Sequence, residues 1–420
     1  MVRLSLGNLL RNKLVQNTGY LSVIEIFRLL MPFIALPYII KTVGVTHYGS
    51  IVFAQAIISY FQIFINWGLD VSAVKDVSVA RNDRKELDKI VSIVLSIKSI
   101  HLLLSAFLLF ASSFFIPYVH ENIWLLLCCF LLCFTDVLFP IWFYQGIEKM
   151  KYLALIRFIS IFFYTISIFI FIRQADDYIY VPLLQSLGSI LSGIVSMFLL
   201  LRVEKIRLHR VRKVEIVQTF KDSTPFFISR VSVVLNNSIA KIISGIFLTM
   251  DMVAAFDLAQ KITSIALVPI QMVNQAVYPH IARTLNKVFA RKMLMINIFA
   301  SLLIAIAVFI LAPYAIYYFS KGEVEEAVVL TRILCIWVFF GGIVVYLGSP
   351  VLVSFGHPQP FNNSILAGTF VLLCSYLLLY ILGGLGNIYY FAYALCLSEF
   401  VMFSYRFFYC IKYELFSIKK

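Results

Sequence analysis

The sequence predicts an all-α integral membrane protein with about twelve transmembrane helices in two six-helix bundles. Three observations predict this fold. The 420-residue chain is 61% hydrophobic and only 13% charged, its apolar residues form twelve long runs, and one basic segment separates six runs from the other six. A water-soluble protein of this length could not shield so much apolar surface with so few charges, so the expected solvent is a bilayer.

The apolar runs define the predicted spans. Most reach the roughly 20 helical residues needed to cross about 30 Å of hydrocarbon. The spans cover residues 16–40, 47–72, 90–116, 122–145, 153–172, 179–201, 225–248, 251–281, 293–317, 328–353, 363–383 and 388–410. The predicted organisation is therefore an N-terminal bundle (1–201), a basic cytoplasmic connector (202–224) and a C-terminal bundle (225–420).

The distribution of basic residues predicts that both termini are cytoplasmic. In that orientation the inner segments hold 24 Lys and Arg residues, and the outer loops hold three, at Lys41, Arg173 and Lys321. Basic loops remain on the cytoplasmic side of a membrane. The net charge of +14 thus belongs largely to loops, and the connector is expected to lie against anionic lipid rather than nucleic acid.

No pattern indicates catalysis or a metal site. The seven cysteines all lie in apolar runs, where they are expected to be small packing residues. The phosphate-binding motif GxxxxGK[ST] is absent from the sequence, so no ATP motor is predicted in this chain. We therefore expect no enzyme, no metal and no organic cofactor.

A repeat links the two predicted bundles. At an offset of 205 residues, the second and eighth spans share identities at Ala54/Ala259, Gln55/Gln260, Ile57/Ile262 and Ser59/Ser264. Many transporters are built from two such repeats. An even number of spans per repeat relates the halves by an axis along the membrane normal.

Polar residues line one face of three predicted helices, within about 60° of arc at ~100° per residue. The three stripes are Gln55, Ser59, Gln62 and Asn66 in the second span; Gln260, Ser264, Gln271 and Gln275 in the eighth; and Arg230, Asn237, Lys241 and Ser244 in the seventh. Such residues can simply join helices. Three stripes together favour a shared water-filled cavity.

Charged residues at membrane depth are costly and therefore indicate function. The deep ones are Glu25, Arg28, Asp136, Lys241, Asp257, Lys261 and Glu399. Glu25 and Arg28 have ion-pair spacing on one helix, as do Asp257 and Lys261. Arg230 and Lys241 have no acidic neighbour on their stripe. The predicted cavity is therefore cationic and suited to an anionic substrate, through Arg28, Arg230, Lys241 and Lys261.

Other features of the spans receive simpler interpretations. Four basic residues near span ends are expected to extend to the membrane surface: Lys98, Arg157, Arg332 and Arg406. Pro269, in the middle of the eighth span, is expected to break or bend its helix. Arg230 and Lys241 are about three turns apart, ~16 Å along a helix, so they are expected to contact an anionic head group one after the other.

Three segments carry a family resemblance: LPYIIKTVGVTHYG (36–49), INWGLDVSAVKD (65–76) and VAAFDLAQKITSIALVPIQMVNQAVYP (253–279). They resemble the polysaccharide-transport branch of the multidrug/oligosaccharidyl-lipid/polysaccharide (MOP) exporter superfamily, in particular Wzx-type O-antigen flippases. One departure is VAAF, where that family more often has a glycine before an aromatic residue. The outer turn between the seventh and eighth spans is therefore expected to differ.

The resemblance implies a V-shaped pair of bundles in the bacterial inner membrane. It implies transfer of an undecaprenyl-pyrophosphate-linked oligosaccharide from the cytoplasmic to the periplasmic leaflet. The expected drive is a gradient of H⁺ or Na⁺, with Glu25, Asp70 or Asp257 as the coupling carboxylate. The implied partners are the lipid-linked oligosaccharide, membrane lipid and polysaccharide polymerase machinery.

Two other functions remain open at this point. A multidrug exporter of the same fold would favour an acidic cavity for cationic drugs, which the predicted cationic excess argues against. A membrane polymerase or ligase would need catalytic residues on a sizeable outer loop. The predicted outer loops are short and carry no cluster of Arg, His and Asp.

Overall fold

The computed structural model describes residue 31 and residues 34–416, and this part of the chain is helical without any strand. The α-helices, numbered in chain order, are α1 (Ile34–Val43), α2 (Val45–Asn66), α3 (Leu69–Ala80), α4 (Arg84–Ser112), α5 (Pro117–Glu121), α6 (Ile123–Phe130), α7 (Leu132–Leu138), α8 (Ile141–Gly146), α9 (Met150–Phe171), α10 (Tyr180–Phe198), α11 (Lys213–Phe247), α12 (Met250–Ala266), α13 (Val268–Thr284), α14 (Lys287–Ser320), α15 (Glu326–Tyr346), α16 (Pro358–Ile381) and α17 (Ile388–Lys412). Short 3₁₀ or π turns cover Ala175–Ile179, Leu199–Val203, Leu347–Val353 and Gly384–Gly386.

Eleven helical segments within the described residues are long and apolar enough to cross a membrane. Each coincides with one of the predicted spans from 47–72 onward. The first predicted span, 16–40, lies largely outside the described residues, and α1 contains its described end. The prediction of an all-α, multi-pass membrane protein is confirmed.

The chain forms two compact units. The first contains residues 34–44 and Ala54–Val231, and the second contains Val45–Phe53 and residues 232–416. Two helices, α2 and α11, therefore give one end to each unit. The boundary within α11 lies beyond the predicted connector, which is already helical from Lys213 onward.

The break between α2 and α3 has a steric cause. Trp67 and Gly68 both have positive φ, at 42° and 70°. A side chain on Gly68 would place its Cβ 2.6 Å from the backbone nitrogen of Phe227, so only glycine fits. The Trp67 ring stacks on Phe220 and Phe227, with centroids 4.4 and 3.9 Å apart. The break thus fixes α2 and α3 against the first part of α11.

The predicted break at Pro269 is present. Helix α12 ends at Ala266, and α13 begins at Val268 with Pro269 in its first turn. Proline fits there because the first N–H groups of a helix have no intrahelical acceptor.

The connector packs onto α4 through its backbone. The Arg207 amide donates to an Asp88 carboxylate oxygen at 2.9 Å, and the His209 amide donates to Ser92 Oγ at 2.9 Å. Ile206 is buried, while the side chains of Arg207 and Arg210 are exposed. The connector therefore presents its basic side chains outward.

Candidate functional site

Three charged residues meet in the second unit. Lys241 on α11 donates to Asp257 Oδ1 at 2.7 Å, and Lys261 on α12 donates to Asp257 Oδ2 at 2.8 Å. The Tyr48 hydroxyl, from the part of α2 that belongs to this unit, also donates to Asp257 Oδ2. Lys261 Nζ lies 2.7 Å from the same hydroxyl. The predicted Asp257–Lys261 pair is present, and it is one edge of a larger cluster.

This lysine cluster (Tyr48, Lys241, Asp257 and Lys261) has more cation than anion. One carboxylate faces two ammonium groups, so the net charge is positive. The exposed side-chain fraction is 3% for Asp257, 17% for Lys241 and 41% for Lys261. The buried carboxylate therefore fixes both lysines, and Lys261 presents the excess charge to the surroundings.

Close packing near the start of α2 positions Tyr48. A methyl group on Gly49 would overlap the carbonyl oxygen of Met250, and one on Gly245 would overlap the Phe53 ring. Thr46 donates to Asp251 at 2.6 Å. These two residues are 205 positions apart, which is the offset of the sequence repeat.

The first unit holds a second group of charges. Arg230 on α11 pairs with Asp70 on α3 at 3.1 Å, and the two side chains are 49% and 37% exposed. Lys98 on α4 donates to Asn66 Oδ1 at 2.7 Å and to the Asp136 carbonyl at 3.1 Å. Asn66 donates to Asp136 Oδ1 at 2.9 Å. These groups belong to five different helices.

A cavity of about 310 Å³ connects these groups within the first unit. We call it the polar cavity. Its charged members are Asp70, Lys98, Asp136, Arg157 and Arg230. With three cations and two carboxylates, the charged lining has a net positive charge.

The cationic surplus inferred at Arg230 and Lys241 needs correction. Neither residue has an acidic neighbour on its own stripe, but Asp70 and Asp257 pair with them from other helices. The partners lie on other helices, so a search along one helix could not find them. The surplus charge survives at Lys261 because Asp257 is shared by two lysines.

The interpretation of Lys98 as a residue extending to the membrane surface is also wrong. Its exposed fraction is 2%, and its ammonium group bonds within the first unit. Arg406 is likewise buried, where it donates to Ser364 and to the Val344 carbonyl. Arg157 lines the polar cavity. Only Arg332 has an exposed side chain among the four residues assigned that role, and it lies over the Phe309 ring.

Some residues of the polar stripes form hydrogen bonds within the protein, and others are exposed. Gln55 donates to Gln185 at 2.8 Å, which joins two helices, and Ser59 donates to the Ala56 carbonyl. Asn66 donates to Asp136 Oδ1 and to the Gln62 carbonyl, both at 2.9 Å. In the second unit Gln260 and Gln271 are half-buried, whereas Asn237, Ser264 and Gln275 are exposed. A single cavity shared by all three stripes stays a prediction.

Some predicted residues cannot be placed. Glu25 and Arg28 lie outside the described residues. Sequence reasoning identified Asp136 and Glu399 as deep charges without giving them a role. Asp136 accepts a hydrogen bond from Asn66 at 2.9 Å, and Glu399 is buried. The sequence signal for Asp136 and Glu399 was the presence of a charged residue deep within an apolar run.

A family model described as "Polysaccharide biosynthesis protein" matches residues 14–285. The chain belongs to this family. Among curated relatives, the "Putative O-antigen transporter" of Escherichia coli (strain K12) is 25% identical over 275 residues, 64% of this chain and 65% of that protein. The protein of the same name from Shigella dysenteriae is 26% identical over 256 residues. The match spans less than two thirds of the length of these two relatives, 65% and 64%.

The fold of this chain is similar to that of solved transporter structures, including members of the MOP superfamily. The lipid II flippase MurJ, in an inward closed conformation, matches with a TM-score of 0.74 at 15% identity, over 94% of this chain and 89% of that one. An inward-facing multidrug resistance MATE transporter of the MOP superfamily matches with a TM-score of 0.68 at 15% identity, over 91% and 95%. At these identities the likeness shows the fold alone. The family model and the two relatives named as O-antigen transporters confirm the predicted resemblance to polysaccharide-transport proteins.

Proposed function

We propose that this chain is a flippase for an undecaprenyl-pyrophosphate-linked oligosaccharide, an O-antigen unit or a related glycan. It moves this lipid from the cytoplasmic to the periplasmic leaflet of the bacterial inner membrane. The lysine cluster carries the proposal. A membrane protein of a polysaccharide-biosynthesis family keeps two lysines on one buried carboxylate, and the extra cation suits the charge of a pyrophosphate.

The relatives support the same class of cargo. Two proteins named as O-antigen transporters share about a quarter of the aligned residues, and the MurJ match is a flippase of a lipid-linked sugar. The MATE matches have the same fold and an unrelated cargo class. A multidrug exporter is therefore the alternative, and uptake and efflux of cationic dyes separate the two functions.

The proposed orientation has both termini and the connector in the cytoplasm. It rests on the ratio of 24 basic residues in inner segments to three in outer loops. Reporter fusions near Arg210 should be active only on the cytoplasmic side. In this orientation Arg230 contacts the head group first, and the lysine cluster holds it later.

Transport is proposed to be driven by H⁺ or Na⁺, with Asp70 as the preferred coupling carboxylate. Asp257 already accepts from two ammonium groups and a hydroxyl, so a further cation would meet repulsion. Asp70 pairs with Arg230 through Oδ2 only, and its Oδ1 has no hydrogen-bond partner in the described structure. Glu25 remains a candidate outside the described residues.

The test is glycan export in a strain that lacks its own flippase. Lys241→Ala and Lys261→Ala should each reduce surface polysaccharide while the protein remains in the membrane. Arg332→Ala is the matched control, because it removes an exposed cation outside both clusters. Full export by both lysine variants would contradict the proposal.

A further inference from the structure

Arg157 lines two adjoining cavities of the first unit. One is the polar cavity. The other, of about 360 Å³, is lined by Met31, by residues of α7, α9 and α10, and by Phe139 and Ile141. Both cavities include Thr135, Phe139, Ile141 and Arg157 in their linings. They are therefore neighbouring compartments, with one arginine at their junction.

The 360 Å³ cavity, here the apolar cavity, presents mainly hydrocarbon. Three of its hydroxyl groups bond to nearby protein groups: Ser160 and Ser189 bond to each other at 3.2 Å, and Ser192 donates to the Ser189 carbonyl at 2.7 Å. The hydroxyls of Thr135 and Thr165 have no hydrogen-bond partner among the described residues. Phe139, Ile141 and Ile161 supply apolar walls. Arg157 is the one charged residue in this lining. The compartment therefore suits a hydrocarbon group that ends beside a cation.

The polar cavity has a different chemistry. Asp70 Oδ1, Asp136 Oδ2 and Trp142 Nε1 belong to lining residues and lack hydrogen-bond partners in the described part of the chain. These are acceptors and a donor, the complement that sugar hydroxyls satisfy. Lys98 and Arg230 are held by Asp136 and Asp70. The compartment therefore suits a polyhydroxyl group next to an anion.

From these two compartments we infer a binding site for the junction of a lipid-linked sugar. The apolar cavity takes the first isoprene units of the polyprenyl chain, Arg157 binds the phosphate groups, and the polar cavity takes the first sugar. A guanidinium group is suited to the junction because its planar fork can bond two phosphate oxygens at once. This inference rests on the proposed function and deepens it, since it assigns the tail-to-head region of the cargo to named residues.

The sizes of the cavities fit this division. Sites for small molecules usually occupy about 300–1,000 Å³. Each compartment lies at the lower end of that range, which is enough for one small group and too little for a long polyprenyl chain. The rest of the chain would remain in the surrounding lipid. The Arg157 site shares no residue with the lysine cluster, and it adjoins Arg230, which lines the same polar cavity and is proposed to contact the head group first.

The test uses the purified full-length chain in lipid nanodiscs and a photoactivatable undecaprenyl phosphate. Undecaprenol, phosphatidylglycerol and inorganic pyrophosphate serve as competitors. We expect crosslinks on α9 and α10, strong competition by unlabelled undecaprenyl phosphate and weak competition by phosphatidylglycerol. Equal displacement by phosphatidylglycerol would overturn the inference in favour of an ordinary phospholipid.

Two variants test the phosphate-binding and hydrocarbon-binding parts of the site separately. Arg157→Ala should weaken binding of undecaprenyl phosphate by roughly tenfold or more, the loss of a charge-assisted hydrogen bond, and leave undecaprenol binding nearly unchanged. Ser160→Phe should fill the apolar cavity and weaken both ligands. The matched controls are Arg332→Ala and Ser404→Phe in the second unit. Arg157→Lys, which keeps the charge, should retain intermediate affinity and confirm that the folded site is intact.

Unchanged affinity in both Arg157→Ala and Ser160→Phe would overturn the site, as would crosslinks confined to α14 or α16. The result is separable from the proposed function. If the wild-type chain exports glycan but binds undecaprenyl phosphate elsewhere, the inference fails and the flippase function stands. If the wild-type chain binds at Arg157 but never moves a lipid-linked oligosaccharide, the flippase function fails.

Discussion

The charges of the lysine cluster and those of the polar cavity are balanced in different ways. In the second unit one buried carboxylate is saturated by two lysines and a tyrosine, and a cation remains in excess. In the first unit Asp70 and Asp136 each keep one oxygen without a hydrogen-bond partner among the described residues. The lysine cluster is therefore suited to an anion. The polar cavity is instead proposed to receive hydroxyl groups or a coupling ion.

The largest expected effect is on the stability of the lysine cluster. Asp257→Ala leaves two lysines without their shared counter-charge, and loss of one partner from a buried ion pair typically costs about 3–5 kcal/mol. We expect a much lower melting temperature for purified protein and less protein in the membrane. Asp70→Ala is the matched control in the first unit. Similar melting temperatures for the two variants would remove the contrast between the clusters.

An intermediate effect is expected at Lys98. Lys98→Met removes an ammonium group that bonds Asn66 and the Asp136 carbonyl, which should lower the free energy of unfolding by roughly 1.5–3 kcal/mol. The double variant Lys98→Met, Asp136→Asn should lose less than the sum of the two single losses, because it removes both charges together. A double-mutant cycle of thermal unfolding measures this coupling. Additive losses would show that the two residues are independent.

The smallest effect on stability is expected at the half-exposed pair. Arg230→Gln should change the free energy of unfolding by about 1 kcal/mol or less, as is usual for exposed pairs. Glycan export should nevertheless fall, because this residue is proposed to contact the head group first. The reversed pair, Asp70→Arg with Arg230→Asp, separates charge pairing from position. Normal export by Arg230→Gln would remove Arg230 from the proposed path.

Hydropathy was enough to predict the fold. Eleven predicted spans coincide with helical segments because the length and composition of a span are properties of consecutive residues. The division of α2 between the units was not predictable in this way. It depends on close packing of Gly49 against Met250, about two hundred residues away in the chain.

The site was only partly predictable for the same reason. Helical spacing found the Asp257–Lys261 pair, whose members are one turn apart. It could not find Asp70 for Arg230, since these residues are on different helices. Position near a span end suggested that Lys98 and Arg406 reach the membrane surface, but it gives depth rather than direction. Both side chains are directed into the protein.

The most direct test of the central claim isolates the excess cation. Lys261→Gln leaves the Asp257 carboxylate paired with Lys241 and Tyr48 and removes only the more exposed charge. The measurement is transfer of a fluorescent undecaprenyl-pyrophosphate oligosaccharide between the leaflets of proteoliposomes with an imposed ion gradient. The account predicts rapid transfer by the wild-type chain, transfer near the protein-free level for Lys261→Gln, and recovery with Lys261→Arg. Transfer by Lys261→Gln at the wild-type rate would contradict it.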